Sequence, residues 1–192
     1  MSVRSSVAPP GDYKVTLTAG GATLERTLTL APDPRVNLEP SAYREQFELA
    51  RSVEAASAKL AQATAAAGKV RKAAVDLRAG ADRALADTLD AFQARLLAIS
   101  EEAIGSNPSN ANVFPPKRIE SLRWLSGALG NLQRMVDGAD AAPSPDAREA
   151  WTRLDAMTTS ALDAWQRFLA NDLDTLNQRL RAAGLKPIDV PR

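Results

Sequence analysis

Polar and apolar residues alternate along residues 13–30, and this period of two is typical of half-buried β-strands. The apolar positions of the two runs are Tyr13, Val15, Leu17 and Ala19, then Leu24, Leu28 and Leu30. Gly20 and Gly21 lie between the runs, and both tolerate positive φ because they lack a Cβ. The spacing therefore predicts a β-hairpin closed by a primed two-residue turn. Val3 is predicted to lie on a short edge strand before it.

Beyond residue 40 the apolar positions recur every three or four residues, which predicts amphipathic helices. Ser41, after Pro40, is the predicted N-cap of the first helix. Its apolar stripe comprises Tyr43, Phe47, Ala50, Val53, Leu60, Ala67, Val70, Ala74 and Leu77. Gly80 and Asp82 favour a stop and a new N-cap, although one continuous helix over residues 41–104 stays open. The second stripe comprises Leu85, Leu89, Phe92, Leu96 and Ile99.

Residues 105–116 are almost all turn formers and predict a loop, after which two more helices follow. The third helix carries Ile119, Leu122, Leu125, Leu129, Leu132 and Val136, and Gly138 ends it. Ser144 and Pro145 predict the N-cap and first residue of the last helix, which Gly184 and Pro187 end. The last stripe is Trp151, Leu154, Thr158, Ala161, Trp165 and Phe168, then Leu169, Leu173, Leu176 and Leu180.

Four amphipathic helices can bury their apolar stripes only against one another. The expected fold is therefore mainly α: an antiparallel four-helix bundle over residues 37–192 with an N-terminal β-hairpin within residues 1–36. The first and last helices are predicted to have about 39 residues each, which is about 58 Å at 1.5 Å per residue. The middle two are predicted to have about 23 residues each. A lone hairpin is marginal in water, so its surface and the uncovered helix ends need a further partner.

Composition excludes several classes of function. The 24 Lys and Arg residues nearly balance the 23 Asp and Glu residues, and the absence of a basic block argues against nucleic acid. The chain has no Cys and no His, which removes disulfides, thiol nucleophiles and imidazole chemistry. Residues 1–7 lack the apolar core of a signal peptide, and no apolar run is long enough to span a bilayer, which makes a membrane partner unlikely. If Met1 is the native start, a cytoplasmic protein is expected.

No catalytic, cofactor-binding or metal-ligating residues are predicted, and no cofactor is expected. The acidic pairs Asp87 and Asp90, Glu101 and Glu102, and Asp137 and Asp140 resemble glycosidase carboxylates only in spacing. Interleaved basic residues favour solvated helix faces for them. Ser126 and Ser160 have no histidine base to activate them. Trp151 and Trp165, two heptads apart, fit core packing better than an interface or a sugar platform.

The hairpin region and the C-terminal end of the chain carry a resemblance to a known family. Residues 7–17 (VAPPGDYKVTL) and 28–36 (LTLAPDPRV) resemble the "V-x-P-G-x-Y-x-V-x-L … D-P-R" stretch of bacterial sortilin-like proteins with BNR-repeat β-propellers, often labelled glycosyl hydrolases. Residues 172–177 (DLDTLN), with Leu180, residues 183–185 and residues 187–188, are similar to the helical ending of that family. The resemblance implies that the hairpin ends an immunoglobulin-like β-sandwich located behind the propellers and that a helical tail follows it.

The resemblance favours a non-catalytic accessory or interaction module whose partner is protein: an upstream propeller or β-domain, or a second copy. The candidate interface residues are Tyr13, Val15, Leu17, Trp151 and Trp165. One alternative is a fragment of a glycosyl hydrolase whose active site lies upstream, in which case the protein would be exported. Another is a free-standing helical adaptor that dimerises through its tryptophans.

Overall fold

The computed structural model describes residues 6–101 and 121–190. It is mainly helical, at 66%, with one antiparallel two-stranded sheet before the helices. The elements are β1 (Gly11–Ala19), β2 (Ala22–Leu30), α1 (Pro40–Arg78), α2 (Arg83–Ser100), α3 (Leu122–Val136), α4 (Pro145–Phe168), a π-helical turn (Leu169–Leu173) and α5 (Asp174–Ala182). The mainly helical class and the hairpin are as predicted. Val3, the loop at 105–116 and Ile119 lie outside the described residues.

The hairpin has the predicted turn. Gly11 pairs with Leu30 and Ala19 with Ala22, so the two strands are matched over their full length. Gly20 and Gly21 have φ of 56° and 77°, the two positive values that a type I′ turn requires. The turn twists in the same sense as the strands it joins, which fixes the register of the pairs.

Two of the three predicted N-caps, Asp82 and Ser144, are confirmed. The side chains of Asp82 and Ser144 accept hydrogen bonds from Leu85 N and Ala147 N at 2.8 and 3.1 Å. The prediction for Ser41 is wrong, because Pro40 is already the first helical residue and Glu39 is the N-cap without a side-chain hydrogen bond. The second helix starts separately at Arg83, so residues 41–104 do not form one helix. The middle helices are shorter than predicted, at 18 and 15 residues.

One apolar core joins the helices. The side chains excluded from solvent come from every helix and include Val53, Leu60, Val70, Leu89, Phe92, Leu96, Leu122, Leu125, Leu129 and Leu180. Its aromatic centre is Phe168, whose ring centroid lies 5.0 Å from that of Phe92 and 5.8 Å from that of Trp165. These contacts place the largest apolar groups between α2 and the last helix.

α4, the π turn and α5 follow one another without a gap and form the predicted last helix. Its apolar stripe changes phase at the π turn. Phe168 and Leu173 are both buried, and the five-residue step between them exceeds one α-helical turn. The π turn at Leu169–Leu173 takes up the extra residue. As a result Leu173 faces the core, and Asp172 lies at the edge of the helix, 2.7 Å from Nε of Arg95.

The hairpin is attached to α1 from both of its ends. Before β1, the backbone N and Oγ of Ser6 donate to the Glu54 carboxylate at 3.3 and 2.6 Å, and these hydrogen bonds lower the pKa of Glu54. After β2, the chain reaches α1 through Pro32, Pro34 and Pro40, whose rings fix φ. The hairpin thus stands at one end of the helices on a stiff connection.

Candidate functional site

Among the described residues, one face of the hairpin exposes an unusual number of large apolar side chains. Residues opposite each other in an antiparallel pair project to the same side, so the register places nine side chains on one face. They are Tyr13, Val15, Leu17, Ala19, Ala22, Leu24, Arg26, Leu28 and Leu30, and we call them the apolar face. Leu17, Leu24 and Leu28 are 62%, 60% and 56% exposed. No described helix covers this face, although apolar sheet faces are normally packed against another layer.

The opposite face of the hairpin satisfies its own polar groups. Thr29 Oγ1 donates to Asp12 Oδ1 at 2.6 Å, and the Lys14 Nζ lies 2.8 Å from Glu25 Oε2. The Thr18 and Thr23 hydroxyls are 3.3 Å apart near the turn. Cross-strand polar pairs of this kind suit a solvated surface. The hairpin therefore has one face of paired polar side chains and one exposed apolar face.

Tyr13 makes a hydrogen bond that the sequence reasoning missed. Its hydroxyl donates to the backbone carbonyl of Pro9, four residues earlier, at 2.5 Å. This hydrogen bond has the geometry of the tyrosine corner, in which a tyrosine near the start of a strand of an immunoglobulin-like β-sandwich bonds back to the backbone a few residues upstream. The signal was present in the sequence as a tyrosine closely following Pro9, Pro10 and Gly11.

The structure separates the five candidate interface residues. Tyr13, Val15 and Leu17 share the apolar face of the hairpin. Trp165 is only 2% exposed and stacks on Phe168 in the core, so it offers no surface for a partner. Trp151 is half-buried and packs against the same core. The accessible candidates therefore lie in the hairpin.

Three of the acidic residues considered for catalysis, Asp90, Glu101 and Asp137, make ion pairs or hydrogen bonds. Glu102 lies outside the described residues. Both oxygens of Asp90 accept from Arg78, at 2.9 and 3.1 Å, which lowers the pKa of Asp90. Glu101 lies 3.7 Å from Arg71 and 3.4 Å from Arg123, and so links α1 with α3. A lowered pKa is the opposite of what a general acid needs at neutral pH.

Two shallow depressions lie elsewhere on the described surface. One, of about 370 Å³, lies between α2 and α5, where Arg95 pairs with Asp172 and Arg179 Nη1 donates to Thr88 Oγ1 at 3.1 Å. Four of its polar side chains thus pair with one another.

The other depression, of about 190 Å³, lies at the base of the hairpin and is lined by Tyr43, Asp33, Asp137 and Asp140 among others. Burial, followed by the charges of Asp140 and Asp33, raises the pKa of the Tyr43 hydroxyl. That hydroxyl therefore stays protonated well above neutral pH.

Comparisons with protein-family models, curated proteins and solved structures gave no match. Within residues 6–101 and 121–190, no helix is long and apolar enough to cross a membrane. The same residues contain no group of three acidic side chains placed to hold a metal ion.

Proposed function

We propose that this chain is a non-catalytic accessory module in which the hairpin completes a β-sandwich and the helices carry that sandwich. The observation behind the proposal is the apolar face, whose leucines at positions 17, 24 and 28 are all more than half exposed. An apolar sheet face of this kind is typical of a layer removed from its partner layer. The tyrosine corner at Tyr13 favours a sandwich as that partner.

In this proposal the helices form an up-and-down four-helix bundle. Short connections at residues 79–82 and 137–144 favour antiparallel neighbours, and α1 contacts α2, α3 and α4 along its length. The π turn and α5 extend the fourth helix. The bundle thus supplies a support for the hairpin.

The parent protein in this proposal is a β-propeller protein of the sortilin-like, BNR-repeat type. The residues that carry the resemblance, at 7–17 and 28–36, are those that form the hairpin and its flanks. Any sugar-processing chemistry of such a protein would lie in its propellers, upstream of this chain.

The first test is genetic. We expect the reading frame to continue upstream of Met1 into β-strand sequence, and a stop codon immediately before Met1 would overturn the proposal. The longer gene product should protect the hairpin amides from hydrogen exchange at least about tenfold more than this chain does. Equal exchange in both proteins would also overturn it.

A matched pair of variants sharpens this test. Leu24→Lys places a charge on the apolar face, and Thr16→Lys places it on the opposite face. In the longer protein, only Leu24→Lys should lower the melting temperature, because only its side chain is buried by a second sheet. In this chain neither variant should change the unfolding of the helices, since the hairpin makes few contacts with them.

A further inference from the structure

Arg26 is the one charged residue on the apolar face. It lies opposite Val15 in the central pair of the ladder, with the Tyr13–Leu28 pair on one side and the Leu17–Leu24 pair on the other. Its Nη1 donates to the carbonyl oxygen of Glu25 at 2.8 Å, and within the described residues no carboxylate lies within ion-pair distance of it. The middle of the apolar face therefore carries an uncompensated guanidinium group.

A charge at that position affects possible partners differently. If two copies of the hairpin packed face to face about a two-fold axis through the centre of the ladder, the two Arg26 side chains would meet near the axis. Like charges brought together in an apolar contact repel strongly and cost desolvation energy. An inward-pointing charge on a strand is also a known means of preventing edge-to-edge aggregation.

A sheet that carries a carboxylate opposite Arg26 has the reverse effect. The guanidinium can then form a paired, hydrogen-bonded contact with that carboxylate while the surrounding leucines and Tyr13 are buried. The same residue thus selects an acidic partner sheet and rejects a second copy.

We infer that Arg26 is the specificity-determining residue of the apolar face, and that its occupant is a β-sheet with an acidic side chain facing the central pair. This inference rests on the proposed function, since it assumes that a sheet covers the hairpin. It adds the charge that this sheet must present. The inference also explains why a face with five exposed apolar side chains of large size carries arginine at its centre.

The test uses this chain and its own variants as probes in sedimentation equilibrium. Arg26→Leu and Arg26→Met remove the charge, and we expect them to self-associate at least about tenfold more tightly than the wild type. Lys14→Leu, on the opposite face, removes a charge of the same sign and should leave self-association unchanged. If both uncharged variants self-associate no more than the wild type, the inference is wrong.

A mixing experiment tests the carboxylate directly. Arg26→Glu provides a hairpin of the same shape with an acid at the central position, so an equimolar mixture with the wild type should form heterodimers more tightly than either protein self-associates. Added salt should weaken the heterodimer and strengthen wild-type self-association, because screening acts on attraction and repulsion alike. A mixture no tighter than its components overturns the inference.

The two proposals fail in different ways. If the longer gene product leaves the hairpin exposed, the proposed function is wrong whatever the Arg26 variants do. If the hairpin is buried there but Arg26→Glu leaves its amides as well protected from exchange as in the wild type, only the role of Arg26 is wrong.

Discussion

The side-chain amide of Asn177 pairs with both backbone polar groups of Ile188. Its Nδ2 donates to the Ile188 carbonyl at 3.0 Å, and its Oδ1 accepts from the Ile188 N–H at 2.7 Å. The pair holds the chain after α5 against the helix and keeps Ile188 only 5% exposed. A single side chain thus replaces the backbone partner that a strand would supply.

Asn177→Ala should lower the free energy of unfolding by about 1–3 kcal/mol, since two hydrogen bonds are lost and Ile188 is released from the core. Urea unfolding measures the loss, and the Ile188 amide should exchange faster. Gln178→Ala is the control, because Gln178 is exposed and bonds only to Asp174 on its own helix. Equal losses in the two variants would contradict the role of Asn177.

Two glycine-to-alanine substitutions should have opposite signs. Gly184 has a φ of 72° at the end of α5, where its N–H donates to Arg181 O and the Leu185 N–H donates to Leu180 O at 2.8 Å. This is a Schellman motif, so Gly184→Ala should cost about 1–2 kcal/mol. Gly68 lies inside α1 with open space around its missing Cβ, so Gly68→Ala should stabilise by about 0.5–1 kcal/mol. Thermal unfolding of both variants checks the signs.

Deletion of Ala170 should be tolerated. The deletion converts the π turn into regular α-helix, and the step from Phe168 to the next buried leucine becomes four residues. The apolar stripe therefore stays in phase, and we expect circular dichroism and a cooperative melt close to those of the wild type. α1 contains no π turn that could absorb a deletion of Lys69. Such a deletion rotates Val70 and Ala74 out of the core, so it should cost several kcal/mol.

The contact between Arg78 and Asp90 predicts a pH dependence. Hydrogen bonding to Arg78 lowers the pKa of Asp90 from its ordinary value of 3.8 in the folded state. The contact therefore stabilises the fold above that value, and the stabilisation is lost as the pH falls through it towards the lowered pKa. Asp90→Asn should unfold with a shallower pH dependence in acid, measured by urea titration at a series of pH values. Arg78→Gln should make the dependence shallower in the same way, because it removes the other partner of this contact.

Local signals in the sequence predicted the elements well. The Gly20-Gly21 turn and the Ser144-Pro145 helix start need only neighbouring residues, and both are as predicted. Ser41 failed because Pro40 suits the first helical position better than any residue before the helix. The π turn was ambiguous, since Phe168 and Leu169 are both apolar and either could continue the stripe.

The periodicity of apolar residues does not predict contacts between residues that are distant in the sequence. The stripe of the last helix includes both Trp151 and Trp165, and spacing alone does not separate a half-buried tryptophan from a core one. Asn177 has the polar side chain of a surface residue, yet its partner lies outside the helix. The candidate site was found in part, because alternation identified the apolar strands, while the position of Arg26 opposite Val15 required the register.

The double attachment of the hairpin has a mechanical consequence. Before β1, Ser6 is hydrogen-bonded to Glu54. After β2, Pro32, Pro34 and Pro40 stiffen the connection to α1. A domain seated on the hairpin would therefore be unable to swivel freely about a single tether. In such an arrangement the helices, the longest of which extends about 58 Å, would set both the distance and the orientation of that domain.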